Sequence, residues 1–125
     1  MLQRHFDRLK ERHPAATIEG LPSGAFLVTV PEVALPAGWS LARTTIRFIA
    51  PVGYPAAKPD CFWADRGLKL ESGAPPASAN EGAIPETPLI GHWFSWHVPD
   101  GQWVPNRDDL STYLRVVRDR FEQAR

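Results

Sequence analysis

In "MLQRHFDRLKERHP" the apolar residues Leu2, Phe6 and Leu9 recur at helical spacing with charged residues between them, and Pro14 blocks continuation. A short amphipathic first helix is expected. From Ala16 to Ile49 the pattern changes to β-rich runs, "ATIEGL", "GAFLVTV" and "ARTTIRFIA", separated by "PSG" and "PEVALPAG". In the third run Thr44, Ile46 and Phe48 share one face while Thr45 and Arg47 take the other, the alternation of a half-buried antiparallel strand. These runs predict a meander. "APVGYPAAKPD" is too rich in proline for a central strand or a helix and predicts a rigid crossing loop. "CFWAD" then supplies a fourth strand.

Residues 71–90, "ESGAPPASANEGAIPETPLI", hold prolines, glycines and few large apolar groups, so an irregular surface segment is expected there. The last element is the best specified. "NRDDLSTYLRVVRDRFEQ" begins with Asn106 as the expected N-cap and Asp109 three residues later, a pairing like a capping box. Leu110, Tyr113, Leu114, Val117 and Phe121 then form one stripe that should dock on the sheet. The order is helix, four-stranded antiparallel meander, irregular segment, helix: an α+β chain.

At 125 residues the chain is expected to be a single domain, 1–125, burying roughly two-thirds of its unfolded surface. Fourteen basic residues balance fourteen acidic ones, so bulk charge steers it to neither nucleic acid nor an anionic membrane. The charged N-terminus and the absence of a run of about 18 apolar residues predict no membrane span and no secretory signal. A cytoplasmic location is expected. The lone Cys61 can form no internal disulfide, and its setting between Asp60 and Phe62 favours a small core hydrophobe over a redox or acyl-accepting thiol.

Residues 91–105, "GHWFSWHVPDGQWVP", hold three of the five tryptophans and two of the four histidines. The segment is either aromatic core or the seat of the chemistry. His92 and His97 with Asp100 match no metal-ligand spacing, so no metal is expected.

"GYPAAKP" followed by an aromatic strand resembles the tyrosine-proline signature of the ubiquitin-conjugating enzymes, and "QWVP" ahead of the last helix resembles their tryptophan-proline motif. The closer resemblance is to the prokaryotic E2 family E, carried by "LPAGWSLARTTIRFIAPVGYPAAKPDCFWAD" and by "WFSWH" with "WVPNRDDLSTYLRVVR". It covers nearly the whole chain from about residue 16. The resemblance implies a ubiquitin-conjugating-enzyme-like (UBC/RWD-like) fold and a part in a bacterial ubiquitin-like modification system. The partners it implies are an adenylating activating enzyme, a ubiquitin-like protein and a JAB-type isopeptidase. No cofactor is implied.

One departure concerns the nucleophile. The conjugating enzymes carry a cysteine about eight residues before the tryptophan of this motif, and counting back from Trp103 reaches Ser95. Cys61 lies too early to be that residue. Serine needs a base where cysteine does not, and His97 two residues later would share its face in an extended segment. A bend must then bring the two within about 3 Å. Two other readings stand beside this one: Ser95 as merely small with His97 bonded to a loop carbonyl, and His97 itself as acyl carrier.

The accessory candidates are His92, Trp93, Trp103 and Asn106. His92 could assist catalysis or a partner contact, or hold a surface or capping role. Trp93 and Trp103, with Trp96, could wall a ligand tail or fill the core, and Asn106 could stabilise an oxyanion or cap the helix. Tyr54 and Pro55 are expected to be structural. In the fold that the chain resembles, the first helix contacts the activating enzyme, which makes Arg4, Arg8, Lys10 and Arg12 partner-binding candidates; a solvated helix face explains them equally. Two function classes follow: a carrier of a ubiquitin-like C-terminus as an oxyester on Ser95, or a catalytically inactive binding or scaffold module for the ubiquitin-like protein or its activating enzyme.

Overall fold

The computed structural model describes residues 1–99 and 101–125; Asp100, considered above beside the two histidines, lies outside them. The first element, α1 (Leu2–Arg12), buries Phe6, Leu9 and also His5. Among the described residues six strands follow: β1 (Thr17–Gly20), β2 (Phe26–Ala34), β3 (Arg43–Ala50), β4 (Phe62–Ala64), β5 (Ala79–Ala83) and β6 (Ile90–Phe94). The chain ends in α2 (Leu110–Phe121), and the strands form one antiparallel sheet in the order β1-β2-β3-β4-β6-β5.

The first four strands form the expected meander, but the sheet has six strands rather than four. Two come from the stretches expected to be a loop and an aromatic cluster. β5 lies inside residues 71–90, the segment expected to be irregular, and pairs along β6 from Ala79↔Phe94 to Ala83↔Ile90. Its sequence, ANEGA, is polar and mostly exposed, so it has no hydrophobic alternation to announce it. What makes it a strand is the backbone of β6, whose open side would otherwise leave its N–H and C=O groups unpaired.

The second departure is in β2. "PEVALPAG" was expected to separate strands, yet β2 resumes after Pro31 and Glu32, with Val33 pairing with Thr44 and Ala34 with Arg43. Between Val30↔Ile46 and Val33↔Thr44 two residues of β2 face one of β3, and Glu32 takes φ 59°. A bulge at the proline spares the ladder the donor that proline lacks.

Both helices cover one face of the sheet. The main core runs from Val28, Val30, Ile46 and Phe48 through Phe62 and Phe94 to Leu110, Tyr113, Leu114, Val117 and Phe121. The stripe on the last helix thus docks as expected. Each such side chain contributes roughly 1.5–3 kcal/mol on burial, before conformational entropy is set against it. A smaller cluster occupies the opposite face, where Leu27 and Trp63 pack with Leu21, Ala25 and Ile84, and Ile49, Cys61 and Trp93 lean on them. Its covering loops are stapled by Glu86, whose carboxylate accepts from the Ser23 backbone N–H and hydroxyl at 2.7 Å each.

The end of α2 is fixed by the loop after β2. Trp39 Nε1 donates to the Phe121 carbonyl at 2.8 Å, and its ring meets Phe121 edge-on at 5.1 Å. Gly38 has φ 104°, and a Cβ there would lie 2.6 Å from the Cβ of Ala124. Gly38→Ala is therefore expected to lower stability by about 1–3 kcal/mol in urea titration. Gly67→Ala, at φ 85° with nothing within 4 Å, is the comparison, carrying strain without the clash and a smaller loss; equal losses would contradict the packing role of Gly38.

Candidate functional site

β6 ends with the buried ring of Phe94 stacked on Phe62, centroids 4.8 Å apart. Immediately beyond it the Ser95 N–H donates to the Ser78 carbonyl and the Trp96 N–H turns back to the Phe94 carbonyl, both at 3.0 Å. The alternation carries on past the end of the strand, with Phe94, Trp96 and Val98 towards the core. It leaves Ser95 and His97 exposed while Trp96 leans on the core, 5.7 Å from the Arg120 guanidinium. The Trp96 carbonyl accepts from the Tyr113 hydroxyl at 2.9 Å, and the Val98 carbonyl accepts from Lys58 Nζ at 2.7 Å. Residues 95–98 are thus moored to α2 on one side and to the proline-rich crossing on the other.

Between this segment and the outer face of α2 lies a cleft of about 850 Å³, within the range of ligand pockets. Ser95, Trp96, His97 and Val98 form one wall, and Thr112, Arg115, Val116 and Asp119 the other. One end is closed by Arg107 and Asp108, whose Nη2–Oδ2 distance is 3.0 Å. The hydrogen bond from Arg107 holds the Asp108 carboxyl below its usual range, and Asp108 in turn accepts from the Val104 N–H at 2.7 Å. Arg107 also donates to the Gln102 carbonyl at 2.9 Å. The turn before α2 is therefore a rigid end wall rather than a loose loop.

Ser95 and His97, the two principal candidates, line the same cleft. Neither side chain makes a hydrogen bond among the described residues, so the hydroxyl and the imidazole are neighbours without being joined. The accessory candidates go elsewhere. His92 faces the helix side of the sheet, 8% exposed, its ring 5.4 Å from Phe94, and its Nε2 has no hydrogen-bond partner among the described residues. Trp93 faces the opposite cluster, in register with Trp63 and packed there with Cys61. Burial pushes that thiol up, in keeping with a small core group. Trp103 donates from Nε1 to the Pro55 carbonyl at 2.7 Å and packs near Tyr54, so this indole and the tyrosine-proline turn fix one another.

Asn106 is not the N-cap of α2. That role falls to Asp109, three residues on, whose Oδ1 accepts from the Thr112 N–H at 3.0 Å while Thr112 Oγ1 accepts from the Asp109 N–H at 3.1 Å. The other oxygen of Asp109 takes Nη1 of Arg8 at 2.9 Å. Arg8 is thereby engaged in joining the two helices, whereas Arg4, Lys10 and Arg12 stay exposed. Beside this junction the Tyr54 hydroxyl lies 2.7 Å from His5 Nδ1, and burial raises the phenol while it lowers the imidazole.

The residues that sequence reasoning passed over are those of the far wall. Thr112, Arg115, Val116 and Asp119 fall at spacings of 3, 1 and 3, a second face of the helix beside its core stripe. The signal was present as periodicity, yet nothing in the sequence says what such a face borders.

A family model, Prokaryotic E2 family E, matches residues 7–124, nearly the whole chain. The chain belongs to this family. No curated protein and no solved structure matches it. The two terminal helices and the antiparallel sheet are compatible with an E2-like family, which is ubiquitin-conjugating-like in general and implies dealings with ubiquitin-like proteins or activating enzymes. None of the helices among the described residues is long and apolar enough to cross a membrane.

Two outcomes follow for stability. Asp109→Ala removes the cap together with the ion pair to the exposed Arg8 and is expected to cost about 1–2 kcal/mol, mostly from the cap; a loss below about 0.5 kcal/mol in urea titration would contradict that role. His5, His13 and His92 all have imidazoles lowered chiefly by burial. The stability they contribute is full above the ordinary histidine value of about 6.5, and it declines as pH falls below that, because the unfolded chain takes up protons that the folded chain refuses. Melting temperature should therefore drop from pH 7.5 to pH 5.5, and His92→Leu should flatten the slope; an unchanged slope would contradict the burial of His92 as its source.

Proposed function

We propose that residues 1–125 form one ubiquitin-conjugating-like domain acting in the cytoplasm in a bacterial ubiquitin-like modification system, with Ser95 carrying the ubiquitin-like C-terminus as an oxyester. The observation that supports this reading is the exposure of Ser95 at the cleft, eight residues before Trp103, where the conjugating enzymes hold their cysteine. Ser95 Oγ attacks the carbonyl carbon of the thioester on the activating enzyme. The carbon–sulfur bond breaks as the carbon–oxygen bond forms, His97 takes the hydroxyl proton, and the departing thiolate receives it from the imidazolium. The bond between hydroxyl and imidazole forms as the tail binds, since catalytic hydrogen bonds commonly tighten only in the complex. A JAB-type isopeptidase acts in the same pathway.

One observation favours a second reading, a binding or scaffold module without covalent chemistry: Ser95 and His97 share no hydrogen bond among the described residues. Incubating the chain with its activating enzyme, ATP and the ubiquitin-like protein separates the two. The carrier gives an adduct that resists thiols, is cleaved by hydroxide, disappears in Ser95→Ala and forms about a hundredfold more slowly in His97→Gln. An adduct that survives Ser95→Ala contradicts the carrier, and stable association without any adduct selects the binding module.

A further inference from the structure

A second cleft, of about 670 Å³, runs between α1 and α2. Among the described residues its walls carry five arginines, Arg8, Arg12, Arg107, Arg115 and Arg118, with His13, against two carboxylates, Glu11 and Asp109. Two of the cations are already matched, Arg8 by Asp109 and Arg107 by Asp108. Arg12, Arg115 and Arg118 are exposed and make no ion pair or side-chain hydrogen bond among the described residues. In a chain whose net charge is zero, Arg12, Arg118 and Arg115, the last with the Asp108 carboxylate within its electrostatic reach, are a local concentration of positive charge on one groove. His13 registers it, for after burial its imidazole is lowered by Arg118 and then Arg12.

We propose that this groove docks an acidic peptide segment of a partner protein, its carboxylates meeting Arg12, Arg115 and Arg118. The planar guanidinium suits carboxylates in pairs. The stretch of α2 that lines it, from Asp109 to Arg118, makes the groove about 14 Å long, room for about four residues of extended chain. No phenylalanine, tyrosine or tryptophan is among the described residues that line it, so it lacks the large aromatic faces on which successive bases stack. Arg107, Thr112 and Arg115 line both this groove and the cleft beside Ser95, so a segment lying here leads towards that site. Arg4 and Lys10, on the same helix, lie outside the groove and take no part. The docking does not depend on covalent chemistry at Ser95.

The test is fluorescence anisotropy with a fluorescein-labelled ten-residue peptide of alternating glutamate and glycine, at 50 mM salt. Saturable binding is expected, at least about tenfold weaker in the triple variant Arg12→Gln, Arg115→Gln, Arg118→Gln. Arg43→Gln, at the far side of the sheet, should stay within about twofold, and Ser95→Ala should bind as the parent does. Absence of saturation, an equal loss in Arg43→Gln, a loss in Ser95→Ala, or tighter binding of a single-stranded oligothymidine than of the peptide would each overturn the proposal. Circular dichroism melting of the triple variant shows that any loss is not unfolding.

Discussion

The carboxylate of Asp109 joins the parts on which the candidate site depends. One oxygen caps α2 through the Thr112 N–H and the other holds Arg8 of α1, so the first turn of one helix and the middle of the other are fixed by a single side chain. An N-terminal turn has backbone donors with no intrahelical acceptor, and an anion there satisfies one of them while complementing the helix dipole. The junction also lies beside the half-buried His5–Tyr54 pair, which ties α1 to the tyrosine-proline crossing. Trp103 continues the chain of contacts by bonding to the Pro55 carbonyl. Both clefts have walls that this assembly positions.

The crowding of aromatic residues around β6 follows from one short strand serving three surroundings. His92 and Phe94 face the helices, Trp93 faces the smaller cluster, and beyond the strand's end Ser95 and His97 face solvent. Neither alternative, core or chemistry, describes the segment alone. Its rings anchor a rigid strand end, and that strand end carries the hydroxyl and imidazole to the cleft. Arg120 belongs to the same anchoring. Its buried guanidinium faces the rings of Trp39, Phe94 and Trp96 and donates to the carbonyls of Ala77, Gln123 and Arg125, so carbonyls and π-faces take the place of a carboxylate.

Much of the fold was legible where burial imposes a period. The stripe on α2, the alternation in β3 and the spacing of Phe6 and Leu9 each mark a buried face, and each face packs as its period requires. β5 was illegible because an exposed edge strand has no face to bury, and its pairing is decided by the backbone of its neighbour. The cap was misassigned for a local reason. Asn106, Asp108 and Asp109 are all good capping residues, and the choice turns on the Val104 and Asp108 contacts that close the preceding turn. Ser95 could be picked out only through the motif that the chain resembles, counted back from Trp103, and His97 by its place two residues on, whereas the helix wall facing them requires the packed arrangement.

We propose that the working face lies between residues 95–99 and α2, and not at the smaller cluster on the other side of the sheet. An NMR titration of the isotopically labelled chain with a peptide matching the ubiquitin-like partner's C-terminal tail tests it directly. Amide shifts concentrated at Ser95–Val98 and Thr112–Val116 are the predicted result. Shifts concentrated instead at residues 21–27 and 84–90, with the cleft unmoved, would contradict it.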